Sequence, residues 1–178
     1  MIRKLMLAAL IALGLTSTAQ AATRARTTTT HPGTVSLDYI GPRGGFSSGP
    51  DQVVIGGHLS ASFAKDWTFN PSLEVGFGDH ETVTALNFDG EYHFRLQNSN
   101  WAPYLGAGLG VNFVHVHLDL PFPFGSVDAN DTVTGLNLIA GTMIPTASGQ
   151  HLFTELRLSA GDAAMPDLKG ILGWNFKL

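Results

Sequence analysis

The chain contains no cysteine, which excludes a disulfide-stapled scaffold, thiol catalysis and any cysteine-based zinc site. Charge is scarce too. Asp, Glu, Lys and Arg make up 13% of the 178 residues, about half the usual share, whereas a disordered solvating chain is rich in them. The cations form no run or stripe and the formal net charge is −4, so the electrostatic footprint of a nucleic-acid binder is missing. No stretch after the N-terminus approaches 18 consecutive apolar residues, which leaves no membrane-spanning helix to propose. Beyond Thr34 there is no convincing helical period either.

What the chain does have is glycine, 21 residues of it, and 44% hydrophobic residues. The first of these residues read as an address. Arg3 and Lys4 precede an apolar run from Leu5 to Leu15, and Ala19-Gln20-Ala21 offers small residues for cleavage. Residues 1–21 are therefore expected to be a signal peptide removed on export, with a mature chain from Ala22. Without them, eight Lys and Arg face 14 Asp and Glu. Residues 22–33, with threonine at 27–30, read as a flexible N-terminal segment, and 34–178 as a single domain.

In that domain apolar and polar residues alternate with period two, the signature of half-buried strands. Eight runs end at turn residues, near 34–40, 53–63, 68–78, 83–96, 101–117, 132–144, 151–160 and 167–178. Most reach the 9–11 residues that a tilted strand needs to cross a bilayer. The even-numbered connections, 64–67, 97–100 and 145–150, are uniformly short, whereas the others include Gly41–Gln52 and Leu118–Asp131. Tight turns at one end and longer loops at the other are what an up-and-down barrel in an outer membrane shows.

One face of these strands, followed in the fifth from Pro103 only as far as Phe113, carries no charged residue, no His, no Asn and no Gln. The other collects the polar groups, among them Asp38, His58, Glu74, Asp89, Glu91, His93, Arg95, Glu155, Arg157, Lys169 and Lys177. Alternation does not say which face is outside: a soluble, lipocalin-like barrel would turn the apolar face inward around a ligand, a membrane barrel outward to lipid. Three features favour lipid. Aromatics of the apolar face fall at matching heights, with Phe63, Phe69, Phe94, Trp101 and Phe176, together with Trp174, toward the short-turn end and Tyr39, Phe77 and Phe113 toward the other, as two bilayer interfaces require. Glycines 56, 76, 106, 108, 110, 135, 141 and 173 lie on the polar face, where a narrow interior needs room for packed side chains. The charges of that face nearly balance, so they can pair in a closed lumen.

These residues resemble the small eight-stranded outer-membrane β-barrel proteins of the OmpA/OmpX type, the porin family. The segment Trp101-Ala-Pro-Tyr-Leu-Gly-Ala-Gly-Leu-Gly-Val-Asn-Phe113 is similar to that family's aromatic, glycine-alternating strand, as are Asn70–Gly78 and Leu152–Leu158. Leu172, Trp174, Phe176 and Leu178 resemble its C-terminal assembly signal, although the family usually ends on Phe. The resemblance implies an all-β, eight-stranded antiparallel transmembrane barrel in a Gram-negative outer membrane. Its partners would be outer-membrane lipid and the insertion machinery, with no cofactor, no enzymatic activity and a surface partner that the sequence does not name.

Two constellations suggest chemistry. His58, Ser60 and Glu74 share the polar face of neighbouring strands and could in principle hydrolyse an ester, as lipid A deacylases do, but the phase points them into the lumen, where a hydrogen-bond network is the expected role. His115, His117 and Asp119 line one side of an extended segment with metal-ligand spacing, an incomplete set. The apolar loop Leu118-Asp-Leu-Pro-Phe-Pro-Phe-Gly125 is a place for a specific contact. A lumen filled by side chains would not conduct solutes as a general pore; a narrow channel remains an alternative.

Overall fold

The computed structural model describes residues 35–49, 51–78, 81–119, 126–146, 149–161 and 167–178. The expected signal peptide 1–21, the segment 22–33 and the apolar tip 120–125 lie outside the described residues, as do the side chains of His117 and Asp119. Eight strands follow one another: β1 (Ser36–Ser48), β2 (Asp51–Ala64), β3 (Trp67–Phe77), β4 (Glu81–His93), β5 (Ala102–Asp119), β6 (Ser126–Pro145), β7 (His151–Gly161) and β8 (Asp167–Lys177). Each pairs antiparallel with the next, and β1 pairs with β8, so the sheet closes on itself. Closure leaves no open edge around the wall and satisfies the backbone without water, which is what lets strands cross a bilayer.

The first strand differs from the sequence expectation, and the reason is one extra residue. Leu37 pairs with Ala61 and Tyr39 with Ser60, so Asp38 is a β-bulge. Its carboxylate accepts the Ser62 N–H at 2.9 Å and its carbonyl accepts the Leu178 N–H at 3.0 Å. After a bulge the alternation restarts on the opposite phase. The segment Gly41–Ser48, expected to be loop, therefore continues β1 with Ile40, Pro42 and Phe46 exposed and Gly41, Arg43 and Ser47 buried. Ser48 faces Asp51 across a tight turn.

The other strands fall within a few residues of expectation, apart from β6, which begins six residues early. The β5–β6 hairpin is longer than its neighbours: its register runs on to Asp119 opposite Ser126, beyond the last β4 pair at Val116 and the last β7 pair at Gly135. At the opposite end the turns are tight. Asp66 and Asn98 hold left-handed backbone there, at φ 65° and 64°, a conformation that Asp and Asn tolerate best among residues with a side chain.

The two faces of the wall are chemically distinct. The exterior is exposed and apolar: Leu136 is 63% exposed, Leu109, Leu138 and Leu156 each 59%. With β1 rephased, the charged, His and amide residues on the exterior phase are confined, among the described side chains, to the loop end of the wall: Asp51 at the β1–β2 turn, and His115 with its partner Asn130 toward the tip of the β5–β6 hairpin. Among the described residues the cations instead lie in the lumen or at the short-turn end. A soluble barrel with this exterior would expose far more contiguous apolar surface than a monomer in water keeps, so the wall is built to face acyl chains.

Candidate functional site

The lumen holds the barrel's concentrated chemistry. Its centre is Arg157 on β7, whose Nη2 donates to Asp89 of β4 at 2.8 Å and to Glu155 at 3.1 Å, while its Nε donates to Glu155 at 3.2 Å. Both Arg157 and Asp89 have 0% exposure. Asp89 also accepts from Asn137 of β6 at 3.1 Å, and Asn137 accepts from Ser159 at 2.8 Å. Asn137 further donates to Asn87 at 3.0 Å, which donates to Ser72 at 3.2 Å.

A second cation shares Glu155. Arg43 of β1 donates to it through Nη2 at 2.6 Å and places Nε 3.1 Å from Glu74 of β3. Lys169 of β8 lies 3.8 Å from the other oxygen of Glu74. Tyr104 donates its phenol to Glu155 at 3.2 Å. Glu155 thus receives two guanidinium groups and a hydroxyl, enough donors to hold a carboxylate charged when it is buried.

Narrow walls make this possible only where backbone and side chain interleave. A Cβ at position 108 would strike the Asp89 carboxylate and the Phe88 carbonyl, and one at 141 would strike the Tyr104 ring. Those two glycines are the space that Asp89 and Tyr104 occupy.

Toward the short-turn end the lumen turns to histidine and amide groups. His58 Nε2 is 2.6 Å from Asn175 Oδ1, and its ring packs edge-on against Phe153 at 5.0 Å. His93 Nε2 is 2.9 Å from Thr68 and 3.5 Å from Glu91, which accepts from Asn70 at 3.0 Å. Ser60 is buried as well, but His58 turns to Asn175, so the geometry of a Ser-His-carboxylate relay is not assembled. Of the three proposed metal ligands only His115 is described by its side chain; it is exposed and contacts Asn130 at 2.6 Å. Among the described residues no group of three or more His, Cys, Asp and Glu could hold a metal ion.

The sequence-derived set therefore divides. His58, Glu74, Asp89, Glu91, Glu155, Arg157 and Lys169 are buried in the lumen and His93 is partly so. Asp38 sits in the bulge. Arg95 lies past the end of β4, where its side chain is 63% exposed and pairs with Asp66 of the β2–β3 turn. Lys177 is exposed at the end of β8. For Arg95 the alternation is carried past the last residue that the wall enforces, whereas Lys177 keeps the inward phase opposite Tyr39 but stands at the open rim. Arg43 and Tyr104 were missed; for Arg43 the signal was the restart Ile40, Pro42, Phe46 against Gly41, Arg43, Ser47.

The aromatic belts need one exchange. Phe63, Phe69, Phe94, Trp101 and Phe176 are exposed near the short-turn end and Phe77 and Phe113 near the other. Trp174 donates its indole N–H to Gln150 in the β6–β7 turn at 2.7 Å. Tyr39, just past the bulge, stacks edge-on against His151 at 5.3 Å on the lumen side, and Phe46, 64% exposed, takes a place in the far belt. Leu172, Phe176 and Leu178 are exposed and Trp174 partly so, on the exterior of β8 and at its end.

No protein-family model matches the sequence, and no curated protein matches it either. Solved structures do match. Neisserial surface protein A aligns with a TM-score of 0.63 at 17% identity, over 82% of this chain and 99% of that one. This is the fold of outer-membrane β-barrels. The N-terminal β-barrel domain of Pseudomonas aeruginosa OprF aligns at 0.60 with 18% identity, over 81% and 96%. Ail of Yersinia pestis, solved with the heparin analogue sucrose octasulfate, aligns at 0.56 with 15% identity, over 81% and 98%. At these identities the likeness speaks for architecture, and the barrel's function has to be argued from its own residues.

Proposed function

We propose that this outer-membrane barrel is a structural and surface-presenting element of the envelope rather than a pore or an enzyme. The observation that carries this reading is the ion network across the lumen. Arg43, Arg157 and Lys169 meet Glu74, Asp89 and Glu155 from five of the eight strands, all of them at 6% exposure or less. Such a network occupies the space a solute would need, and opening it would strand charges in a low-dielectric interior. Function then falls to what the rigid wall holds out at the hairpin end, including the extended β5–β6 hairpin.

The sucrose octasulfate of Ail is a polyanion. Between residues 35 and 178 this chain has no Lys or Arg at its hairpin end, so a comparable polyanionic ligand is not part of the proposal. In planar bilayers the refolded protein is expected to give no steady conductance above that of the lipid. Stable unitary channels from a monodisperse, heat-modifiable sample would replace this reading with that of a narrow channel.

A further inference from the structure

The cations of the chain are distributed in a way that the closed lumen does not require. After residue 34 there are six Lys and Arg residues. Arg43, Arg157 and Lys169 are buried in the lumen, and Lys65, Arg95 and Lys177 are exposed at the short-turn end. Two of these three, Lys65 and Arg95, are linked through Asp66, the chain neighbour of Lys65: its carbonyl accepts the His93 N–H at 2.8 Å, which ties the β2–β3 turn to the chain leaving β4, and its carboxylate pairs with Arg95.

Directly below them on the exterior runs a continuous chain of aromatic rings. Phe63 and Trp67 are 6.4 Å apart, Trp67 and Tyr92 5.3 Å, and Tyr92 and Phe94 5.0 Å. Phe63, Trp67 and Phe94 are 43%, 44% and 39% exposed. Such rings settle at the depth of the glycerol and headgroup region, which sets Lys65 and Arg95 at the depth of lipid phosphates. Asp66 engages only Nε of Arg95 in the observed hydrogen bond. The guanidinium keeps further N–H donors, and planar bidentate recognition of phosphate is what they suit. Counting Asp66, the cluster is net positive by one.

We infer that the β2–β3 turn and the end of β4 form a seat for an anionic glycerophospholipid of the leaflet at the short-turn end, with Lys65 and Arg95 binding the phosphate and the Phe63–Trp67–Tyr92–Phe94 stripe holding the glycerol and upper acyl chains. The inference rests on the membrane-barrel reading and adds lipid selectivity confined to one sector of the rim. Lys177, on β8, removes a charge elsewhere on the same rim and serves as the comparison.

The test uses the full barrel with Trp67 as its single tryptophan (Trp101→Phe and Trp174→Phe), refolded into phosphatidylcholine vesicles containing brominated phosphatidylglycerol or, in parallel, brominated phosphatidylcholine. Bromine quenches only adjacent tryptophan, so relative quenching reads the local preference. A preference of about fivefold per engaged cation is expected at low salt, shrinking as NaCl is raised, abolished by Lys65→Ala with Arg95→Ala and retained by Lys177→Ala. A barrel carrying Trp174 alone, on the far side of the wall, is expected to show none. Equal quenching by the two lipids in the Trp67 barrel, or a preference that survives loss of both cations, would overturn the seat while leaving the barrel intact. Failure to acquire the heat-modifiable folded form in either lipid would overturn the reading beneath it as well. The salt dependence needs no charge substitution, so the seat stays testable if the double variant does not fold.

Discussion

Arg43 shows how much of the lumen depends on a single side chain. It meets Glu74 at 3.1 Å and Glu155 at 2.6 Å, so Arg43→Met keeps most of the volume but leaves two buried carboxylates short of a cation. The expected loss is about 3–5 kcal/mol, the range for breaking one side of a buried pair, visible as a lower urea midpoint for the barrel in detergent. Lys177→Met, which removes an exposed charge, is expected to cost no more than about 0.5 kcal/mol. Sequence alternation found most of the lumen because a two-residue period leaves a polar side chain on a membrane strand no other place to go. It missed Arg43, which follows a bulge, and it misplaced Arg95, which follows the end of a strand, because period two holds only while the partner strand enforces it.

At the level of elements, the bulge explains the largest departure from expectation. Asp38 is one extra residue between Leu37 and Tyr39. Removing it would let Leu37 and Tyr39 alternate without interruption and would leave Arg43 on its inward phase. Deletion of Asp38 is therefore expected to preserve the heat-modifiable folded form on gels. Deletion of Pro42 is expected to abolish it, since a one-residue slip downstream of the bulge sets the faces of β1 against each other. The β5–β6 hairpin offers the complementary case. Residues 117–119 and 126–128 pair only with one another among the described strands. Replacing 117–128 by an Asn-Gly turn is expected to leave the gel shift and the urea midpoint within error of the parent; a large loss would mean that the hairpin supports the wall. Strand number and phase were legible in the sequence because lipid demands an uncharged exterior. The span of β1 was not, because Gly, Pro and Arg in succession carry the local signature of a loop even where closure holds them extended.

For the molecule as a whole, the exterior and the interior make opposite demands on one chain, and the closed wall lets each residue answer to only one of them. The same closure has a consequence in time. Arg43 and Glu155 are separated by 112 residues, and Arg157 and Asp89 by 68, so neither ion pair has its partner until strands from both halves of the chain stand in one ring. Contacts of such long sequence separation come late, after the entropy of bringing distant segments together has been met. Filling the lumen and sealing β1 to β8 then become a single event, with no stable half-built vessel on either side of it. Once sealed, the barrel reopens only by exposing several ions together to hydrocarbon. Its persistence in the membrane is thus governed by the height of that barrier rather than by the depth of the folded minimum.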